Sequence, residues 1–223
     1  MERAEGVFIT FEGIEGCGKS TQIKILADAL RARGLKVVMT REPGGCPIAD
    51  QIRSILLDAN NTALVPSAEL LLYAAARAQH VQEVIIPALQ AGKVVLCDRF
   101  SDSTLAYQGY GRQLDRSTIM FINRFARQDV TPDLTIILDL PVEEGLRRSR
   151  MRHGDDPSEL RFENETIHFH NNVKHGFDAL LQLDAGRRRR VDATGTIEEV
   201  SRTVDGVVSA LLCQKFFEEV GRA

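Results

Sequence analysis

One segment near the amino terminus constrains this chain more than any other, because a glycine-rich turn there joins a strand pattern to a helix pattern. Residues 13–20 read G-x-x-x-x-G-K-S without a gap. The run before them, residues 7–11, is β-branched and aromatic, as in a short buried strand. A polar amphipathic stretch follows. This order predicts a strand, a tight loop at its carboxyl end and a helix, as in a parallel sheet.

Strand and helix patterns alternate along the rest of the chain. Strand-like apolar runs occupy residues 6–11, 35–40, 93–97, 133–140 and 189–193. Helical patterns occupy residues 19–33, 48–58, 67–90, 115–129, 142–152, 160–184 and 196–218. The alternation predicts an α/β fold of three layers, a five-stranded parallel sheet flanked by helices, in a single domain of residues 1–223. In such a sheet, ligands gather at the carboxyl ends of the strands.

The glycine turn has the composition of a phosphate-binding loop (P-loop). Glycines allow the backbone N–H groups to turn inwards and approach phosphates closely, and the helix that follows adds its positive end. Lys19 is expected to reach the β and γ phosphates, and Ser20 to ligate magnesium (Mg2+). The predicted ATP-binding residues are Gly13, Ile14, Glu15, Gly16, Cys17, Gly18, Lys19, Ser20 and Thr21.

An acid and a base stand side by side where the third predicted strand ends. Asp98 is suited to the magnesium shell or to accepting a hydrogen bond from a hydroxyl group. Arg99 can clamp a phosphate with its planar guanidinium group. We therefore expect a metal site formed by Ser20 and Asp98, with Arg99 beside it.

Composition and charge exclude several classes of partner. The 28 Lys and Arg residues are outnumbered by 31 Asp and Glu residues, which argues against an extended nucleic-acid surface. The four cysteines are widely spaced with no C-x-x-C pair, as is typical of reduced thiols in a cytoplasmic protein. The first residues lack a long apolar run, and no window is apolar enough to span a membrane. We expect a cytoplasmic enzyme that binds small molecules.

Six segments, in this order, resemble the bacterial type of thymidylate kinase over essentially the whole chain. They are FEGIEGCGKST at 11–21, TREPGG at 40–45, ELLLYAAARAQHV at 69–81, DRFSDSTLAYQG at 98–109, PDLTIILDLP at 132–141 and DATGTIEEV at 192–200. The resemblance implies a P-loop nucleoside-monophosphate kinase that transfers the γ-phosphoryl group of ATP to dTMP. It also implies a homodimer.

The resemblance implies a dTMP site as well. Its residues are Glu15, Arg41, Tyr73, Arg77, Arg99, Ser103, Thr104, Tyr107 and Gln108. Tyr73 and Arg77 lie on one face of a predicted helix, and in the family the aromatic ring stacks on thymine while the Arg binds the base's exocyclic oxygen. Arg99 and Arg41 are implied to hold the acceptor phosphate. Glu15 is implied to meet the sugar 3′-hydroxyl.

Residues 146–160 resemble the lid of the family. Its arginines Arg148, Arg150 and Arg152, together with Lys19, Asp98 and Arg99, are the implied catalytic residues. A closing lid can bring an Arg onto the migrating phosphoryl group while it excludes water. Leu160 precedes Arg161 where many bacterial members have Asp, which affects local hydrogen bonding in the lid rather than the reaction.

Two further sequence patterns, a histidine pair and a basic run, are weaker indications of function. His168 and His170 are two residues apart and are expected to be solvated or packed rather than metal ligands. The basic run at 187–190 is expected to be a solvated turn. The alternative is that it lies near ATP through the loop that follows, residues 192–195, which resembles the adenine pocket of the family. A nucleotide-dependent switch is disfavoured because no N-K-x-D segment is present. A P-loop kinase of another nucleoside monophosphate or small metabolite remains the alternative, although Tyr73 with Arg77 argues against an acceptor without a base.

Overall fold

A computed structural model describes residues 6–153, 161–184 and 186–220. Five parallel strands form one sheet in the order β2-β3-β1-β4-β5. The strands are β1 (Val7–Glu12), β2 (Val37–Arg41), β3 (Val94–Asp98), β4 (Leu134–Asp139) and β5 (Arg188–Asp192). Each predicted strand is present to within two residues, and the predicted α/β fold class is confirmed.

Strand β1 is central and buried along its whole length. It pairs with β3 on one side, where Phe11 is opposite Asp98, and with β4 on the other. Strand β2 pairs with β3 so that Arg41 is also opposite Asp98. The register therefore brings the carboxyl ends of β1, β2 and β3 to one edge of the sheet.

Helices cover both faces of the sheet. They are α1 (Lys19–Ala32), α2 (Pro47–Leu57), α3 (Pro66–His80), α4 (Ile86–Gln90), α5 (Ser101–Thr104), α6 (Arg116–Arg127), α7 (Val142–His153), α8 (Ile167–Leu183) and α9 (Ile197–Val220). One apolar core joins β1 and β4 to α1, α8 and α9, and a second joins Phe8, Val95 and Cys97 to Val81 and Ile85. No helix in the described ranges is long and apolar enough to cross a membrane.

The structure differs from the predicted elements in three places. The pattern at 67–90 is divided by a π-helical turn, Val81–Ile85. Helix α5 and the π-helical segment Leu105–Gly111 were not predicted. The helix predicted from residue 160 begins at Ile167, after a turn.

The basic run before the last helix is not the solvated turn that we expected. Arg188 lies within β5 and is 8% exposed. Its Nε donates to Asp102 Oδ2 at 2.6 Å and its Nη2 donates to Oδ1 at 3.0 Å. A buried charge needs a partner of matching geometry, and the two carboxylate oxygens of Asp102 provide it. The pair therefore holds α5, which follows β3, against the edge strand β5.

Candidate active site

A cleft of about 450 Å³ opens at the carboxyl ends of β1, β2 and β3. Most of the predicted site residues line it: Glu15, Gly16, Gly18, Lys19, Ser20, Arg41, Tyr73, Arg77, Asp98, Arg99, Ser103, Thr104, Tyr107 and Gln108. Four predicted residues of the glycine turn are not part of its lining: Gly13, Ile14, Cys17 and Thr21. Ile14 and Cys17 instead pack in the apolar core beneath the turn.

The glycine turn requires glycine at the positions where the backbone is most crowded. Gly16 has a φ of 69°, and a Cβ atom there would lie 2.0 Å from the carbonyl oxygen of Gly145. Lys19, the first residue of α1, folds back so that its Nζ donates to the carbonyl oxygens of Gly13 and Ile14 at 3.2 and 2.9 Å. The ammonium group is therefore held over the turn, at the N-terminal end of α1, where anions are favoured.

Ser20 and Asp98, the two predicted metal ligands, lie within hydrogen-bonding distance of each other. The Ser20 hydroxyl donates to Asp98 Oδ2 at 2.6 Å, across the gap between α1 and the end of β3. Hydroxyl and carboxylate oxygens are hard ligands of the kind that Mg2+ prefers. No cluster of three or more acidic, His or Cys residues that could hold a metal exists among the described residues. Two protein ligands suit a magnesium ion that takes its other ligands from phosphate and water.

Arg99 follows β3 with a left-handed backbone conformation, at a φ of 69°. Its Nη1 donates to the Gly13 carbonyl at 2.8 Å and to the Ser103 hydroxyl at 3.1 Å, and its Nη2 donates to Glu15 Oε1 at 3.2 Å. A non-glycine residue at positive φ persists only where its surroundings hold it. The guanidinium group is thus fixed between the two halves of the cleft.

Glu12, at the end of β1, is the residue beneath Arg99 that the sequence analysis missed. It is fully buried and accepts hydrogen bonds from the Phe100 N–H at 2.8 Å and the Ser103 hydroxyl at 2.5 Å. Burial, reinforced by the charge of Asp102, raises the pKa of Glu12 to about 7. A buried acid in a strand of apolar residues therefore anchors the loop that carries Arg99.

Glu15 meets several side chains at the base of the cleft. Its Oε1 accepts hydrogen bonds from the Tyr107 hydroxyl and from Arg99, while Nδ1 of His170 lies 3.5 Å from Oε2. Burial alone would raise the pKa of this carboxyl, but His170, Arg99 and Tyr107 together bring it to about 2. Burial raises the pKa of Tyr107 well above its usual value, so the phenol stays protonated and its hydroxyl donates a hydrogen bond to Glu15.

Tyr73 and Arg77 lie one turn apart on α3 and form part of the wall of the cleft that the glycine turn also lines. The Arg77 side chain is only 2% exposed. Its Nε donates to Glu42 Oε2 at 2.7 Å and its Nη1 to Asn123 Oδ1 at 2.7 Å. These two bonds fix the plane of the guanidinium group, whose remaining N–H groups are not used by them.

A second buried carboxylate, Glu69, joins three parts of this wall. It lies one turn before Tyr73 on α3 and accepts hydrogen bonds from Gln108 Nε2 at 2.8 Å and Arg161 Nη2 at 2.6 Å. Arg112 also bonds it, at 3.2 Å. Arg161 follows the predicted lid, so the segment after the lid is tied to the wall that carries Tyr73.

The segment after the lid also contributes an aromatic ring to the cleft. Phe162 packs 6.5 Å from the Tyr73 ring and edge-on to Tyr107 at 5.6 Å, measured between ring centroids. Glu163 lines the cleft beside it and accepts a hydrogen bond from the buried Ser149 hydroxyl at 2.8 Å. The two ends of the lid therefore meet at the cleft.

Arg41 and the predicted lid arginines have partners of differing strength among the described residues. Arg41 forms an exposed ion pair with Asp50 at 3.3 Å, an arrangement that costs little to break. Arg148 on α7 bonds Glu144 at 2.6 Å and the Ala193 carbonyl at 3.4 Å, and Arg150 bonds the Glu163 carbonyl at 3.4 Å. The side chain of Arg152 and lid residues 154–160 lie outside the described residues.

The residues missed by sequence reasoning share one property. Glu12, Glu42, Glu69, Phe162 and His170 support the cleft from below or from the side, through partners far away in the sequence. Glu12 and Glu42 lie inside two of the quoted segments, 11–21 and 40–45, so their position where a strand ends was a usable signal. For Phe162 and His170 no local pattern pointed to the site.

Comparison with known proteins gives one consistent family. The family model described as thymidylate kinase matches residues 11–204. Relatives named thymidylate kinase include those of Trichlorobacter lovleyi, 57% identical over 92% of this chain and 98% of that protein, and Geobacter sulfurreducens, 57% identical over 91% and 96%. The crystal structure of thymidylate kinase from Ehrlichia chaffeensis superposes with a TM-score of 0.74 at 34% identity, covering 92% of this chain and 99% of that one.

Proposed function

Because the chain belongs to the thymidylate kinase family, we propose how its cleft carries out that family's reaction. The protein is a kinase that transfers the γ-phosphoryl group of ATP to dTMP, giving dTDP and ADP. The roles given to single residues below, the metal and the assembly are our proposals. The alternative, a kinase of another small metabolite, has no feature in its favour.

The glycine turn holds the donor. Its backbone N–H groups and the N-terminal end of α1 face the ATP phosphates, and Lys19 reaches the β and γ phosphates. The hydrogen bonds of Lys19 to Gly13 and Ile14 support this role, because they position the charge before ATP arrives. A charge that is already in place loses little energy to reorganisation during the reaction.

Ser20 and Asp98 hold Mg2+. Their oxygens lie 2.6 Å apart. Among the described residues, no cluster of three or more His, Cys, Asp or Glu side chains offers another metal site. The ion, when bound, neutralises charge that develops on the β and γ phosphates. The hydrogen bond between Ser20 and Asp98 keeps both oxygens at the mouth of the glycine turn.

The acceptor phosphate lies between Arg99 and Arg41. Arg99 is fixed by Gly13, Ser103 and Glu15, next to the donor loop, whereas the weak pair of Arg41 with Asp50 leaves it able to turn towards a phosphate. A phosphate monoester has a second pKa of about 6, so at neutral pH the attacking oxygen carries no proton that must be removed. Positioning and charge are therefore the main demands on the protein.

The thymine base lies against Tyr73, and Arg77 binds its exocyclic oxygen. The support is the fixed plane of Arg77, set by Glu42 and Asn123, on the same wall as Tyr73. Ser103, Thr104, Tyr107 and Gln108 complete the pocket around base and sugar. The Tyr107 ring packs against C2′, where it leaves no room for a ribose hydroxyl, and Glu15 accepts a hydrogen bond from the 3′-hydroxyl.

Transfer then proceeds in one step. An oxygen of the dTMP phosphate forms a bond to the γ-phosphorus as the bond to the bridging oxygen breaks, and ADP leaves with that oxygen. The lid, residues 146–160 of the single kinase domain 1–223, brings Arg148, Arg150 or Arg152 onto the migrating group. The contacts of Ser149 and Arg150 with Glu163 support a lid whose base is already close to the acceptor.

We also propose that the protein is a cytoplasmic homodimer. Its four cysteines are free thiols, as in a reducing compartment. Helix α6 exposes three large apolar side chains, Met120, Phe121 and Phe125, and Leu71 is exposed on the neighbouring α3. Such a patch is costly to leave in water, and covering it with a second copy removes that cost.

The observation that carries these assignments is that one cleft is lined both by the glycine turn and by the Tyr73–Arg77 wall. The test is ADP release on a panel of acceptors, dTMP, dUMP, dCMP, UMP and AMP, with ATP and magnesium. We expect dTMP to give the highest kcat/KM, and UMP to be a poor substrate because of its 2′-hydroxyl. Equal rates with dTMP and AMP would contradict the assigned base pocket.

A further inference from the structure

His170 is a buried side chain next to the cleft that none of the proposed steps uses. It lies in α8, with its side chain 1% exposed. Neither ring nitrogen has a hydrogen-bond partner within the part of the chain that the structure describes. Buried polar groups are almost always paired, so an imidazole with two free nitrogens needs an explanation.

A buried carboxylate oxygen of the P-loop lies close to this ring. Nδ1 of His170 lies 3.5 Å from Oε2 of Glu15, and that oxygen is also buried without a hydrogen bond. The other oxygen, Oε1, is bonded by Tyr107 and Arg99. A potential donor and an acceptor, both buried and both unsatisfied, thus face each other just beyond hydrogen-bonding distance.

The position of His170 is set by rigid surroundings. Thr166 caps the helix by accepting a hydrogen bond from the Phe169 N–H at 3.2 Å. Helix α8 packs closely on the π-helical segment Leu105–Gly111, where a Cβ atom on Gly176 would lie 2.9 Å from the Tyr110 ring. The segment that presents Tyr107 to Glu15 and the helix that presents His170 are therefore held together.

We propose that His170 is a positioning residue for the acceptor, which donates its Nδ1–H to Glu15 Oε2 when dTMP is bound. Catalytic hydrogen bonds that are long without ligands often shorten in the complex. With Oε2 held by His170, the carboxylate cannot rotate, and it presents a fixed acceptor to the sugar. This inference rests on the proposed contact between Glu15 and the 3′-hydroxyl.

The consequence is selective for one part of the acceptor. If His170 acts through Glu15, its loss weakens only the interaction with the 3′-hydroxyl. A nucleotide without that hydroxyl gains nothing from an ordered Glu15 and should not respond. A purely structural role for His170 would instead impair both acceptors alike.

The experiment compares dTMP with 3′-deoxythymidine monophosphate in the wild type and in His170→Phe, which keeps a ring of similar size but no nitrogen. Steady-state kcat/KM and calorimetric affinity are measured for each acceptor. We expect His170→Phe to lower both values about 10-fold for dTMP, as for loss of one hydrogen bond to a charged group, and to leave the analogue unchanged. His170→Gln, which keeps an N–H donor, should recover part of the loss.

Two controls make the result specific. His168→Phe removes the neighbouring histidine, which is exposed and bonds Asn172, and should change neither acceptor. In a Glu15→Gln background, His170→Phe should have little further effect, because the effects of two substitutions that act through the same contact do not add.

Equal losses for the two acceptors, no loss for either, or full additivity with Glu15→Gln would each overturn the role of His170. A wild-type protein that neither binds nor phosphorylates dTMP would overturn the proposed function as well. Wild-type activity on dTMP with an equal response of the two acceptors would overturn the His170 inference alone.

Discussion

At the scale of single residues, the geometry of the cleft depends on three buried carboxylates. Glu12 holds the loop of Arg99, Glu42 fixes Arg77, and Glu69 joins α3 to Arg161. Each carboxylate is buried, and each accepts hydrogen bonds from more than one donor. Loss of one partner from such a network costs free energy, because a buried charge is left unpaired. The networks therefore hold the arginines in fixed positions.

Glu12 makes stability depend on pH in a direction unusual for an acid. Its pKa is raised from 4.5 in a free side chain to about 7 in the folded protein. Between these values the folded state binds more protons than the unfolded state, so stability falls as pH rises. We expect this group to lower the free energy of unfolding by about 3 kcal/mol between pH 4.5 and pH 7.

Urea denaturation at a series of pH values tests this expectation. Glu12→Gln keeps an oxygen for the Phe100 N–H and cannot ionise, so its stability should lose that part of the pH dependence. Glu143→Gln, an exposed acid on α7, serves as the control and should follow the wild type. Parallel pH curves for the wild type and Glu12→Gln would contradict the assigned pKa.

Site residues could be predicted from the sequence where they stand in a short motif, and not where their role depends on distant residues. The glycine turn, Lys19, Ser20, Asp98 and Arg99 stand in short motifs at strand ends, where position alone suggests chemistry. Tyr73 and Arg77 needed the family resemblance, because an aromatic at helical spacing is more often part of a core. His170 was expected to be solvated or packed and is buried, but its contact with Glu15 could not be predicted, since that residue is far away in the sequence.

At the scale of elements, the strands were predicted well and two helical segments were not. Continuous apolar runs bounded by turn residues define a buried parallel strand almost uniquely. The segment Ser101–Gly111 is rich in small and polar residues and contains two glycines, so it lacks an apolar helical period. It forms a helix because Asp102, Ser103 and Tyr107 are held by partners on other elements.

The turn at 161–165 shows the same effect. Its sequence was read as the start of a helix, but Arg161 pairs with Glu69 and Arg112 lies 2.6 Å from Glu165. These ion pairs and the burial of Phe162 outweigh the local preference of the segment for a helix. Helix α8 therefore begins only at Ile167, where Thr166 provides the cap.

The lid prediction belongs to helix α7 and the segment after it. Replacing Arg148, Arg150 and Arg152 singly with Ala should leave the KM for dTMP nearly unchanged, while at least one replacement lowers kcat by about 10³-fold. The reason is that such an arginine stabilises charge that exists only in the transition state. Steady-state kinetics at saturating ATP measures both values.

Arg147 is the matched control for this series, since it lies on the same helix and pairs with Glu144 as Arg148 does. Arg147→Ala should keep a normal kcat. Normal kcat in all three test variants would show that the catalytic arginine is not in the lid.

At the scale of the whole molecule, the exposed face of α6 predicts a dimer. Phe121 is 74% and Phe125 is 80% exposed, one turn apart on the same helix. Phe125→Glu places a charge in the proposed interface and should convert a dimer to a monomer in sedimentation. Leu183→Glu, at a similarly exposed site at the end of α8, should remain dimeric. A wild type that sediments as a monomer would contradict the proposal.

In the proposed arrangement the glycine turn binds the donor and α3 binds the base of the acceptor, and both line one cleft. Arg77→Lys tests this arrangement because Lys keeps a charge for Glu42 but loses the planar fork needed for Glu42, Asn123 and a base at once. Arg124→Lys, in an exposed ion pair on α6, is the control.

Calorimetric titration of Arg77→Lys with dTMP and, separately, with a non-hydrolysable ATP analogue measures the central claim directly. We expect dTMP to bind about 10-fold more weakly, from loss of one hydrogen bond at a charged group, while the affinity for the ATP analogue stays at the wild-type value. Equal weakening of both ligands, or unchanged affinity for dTMP in a correctly folded variant, would contradict the assignment of this wall to the acceptor base.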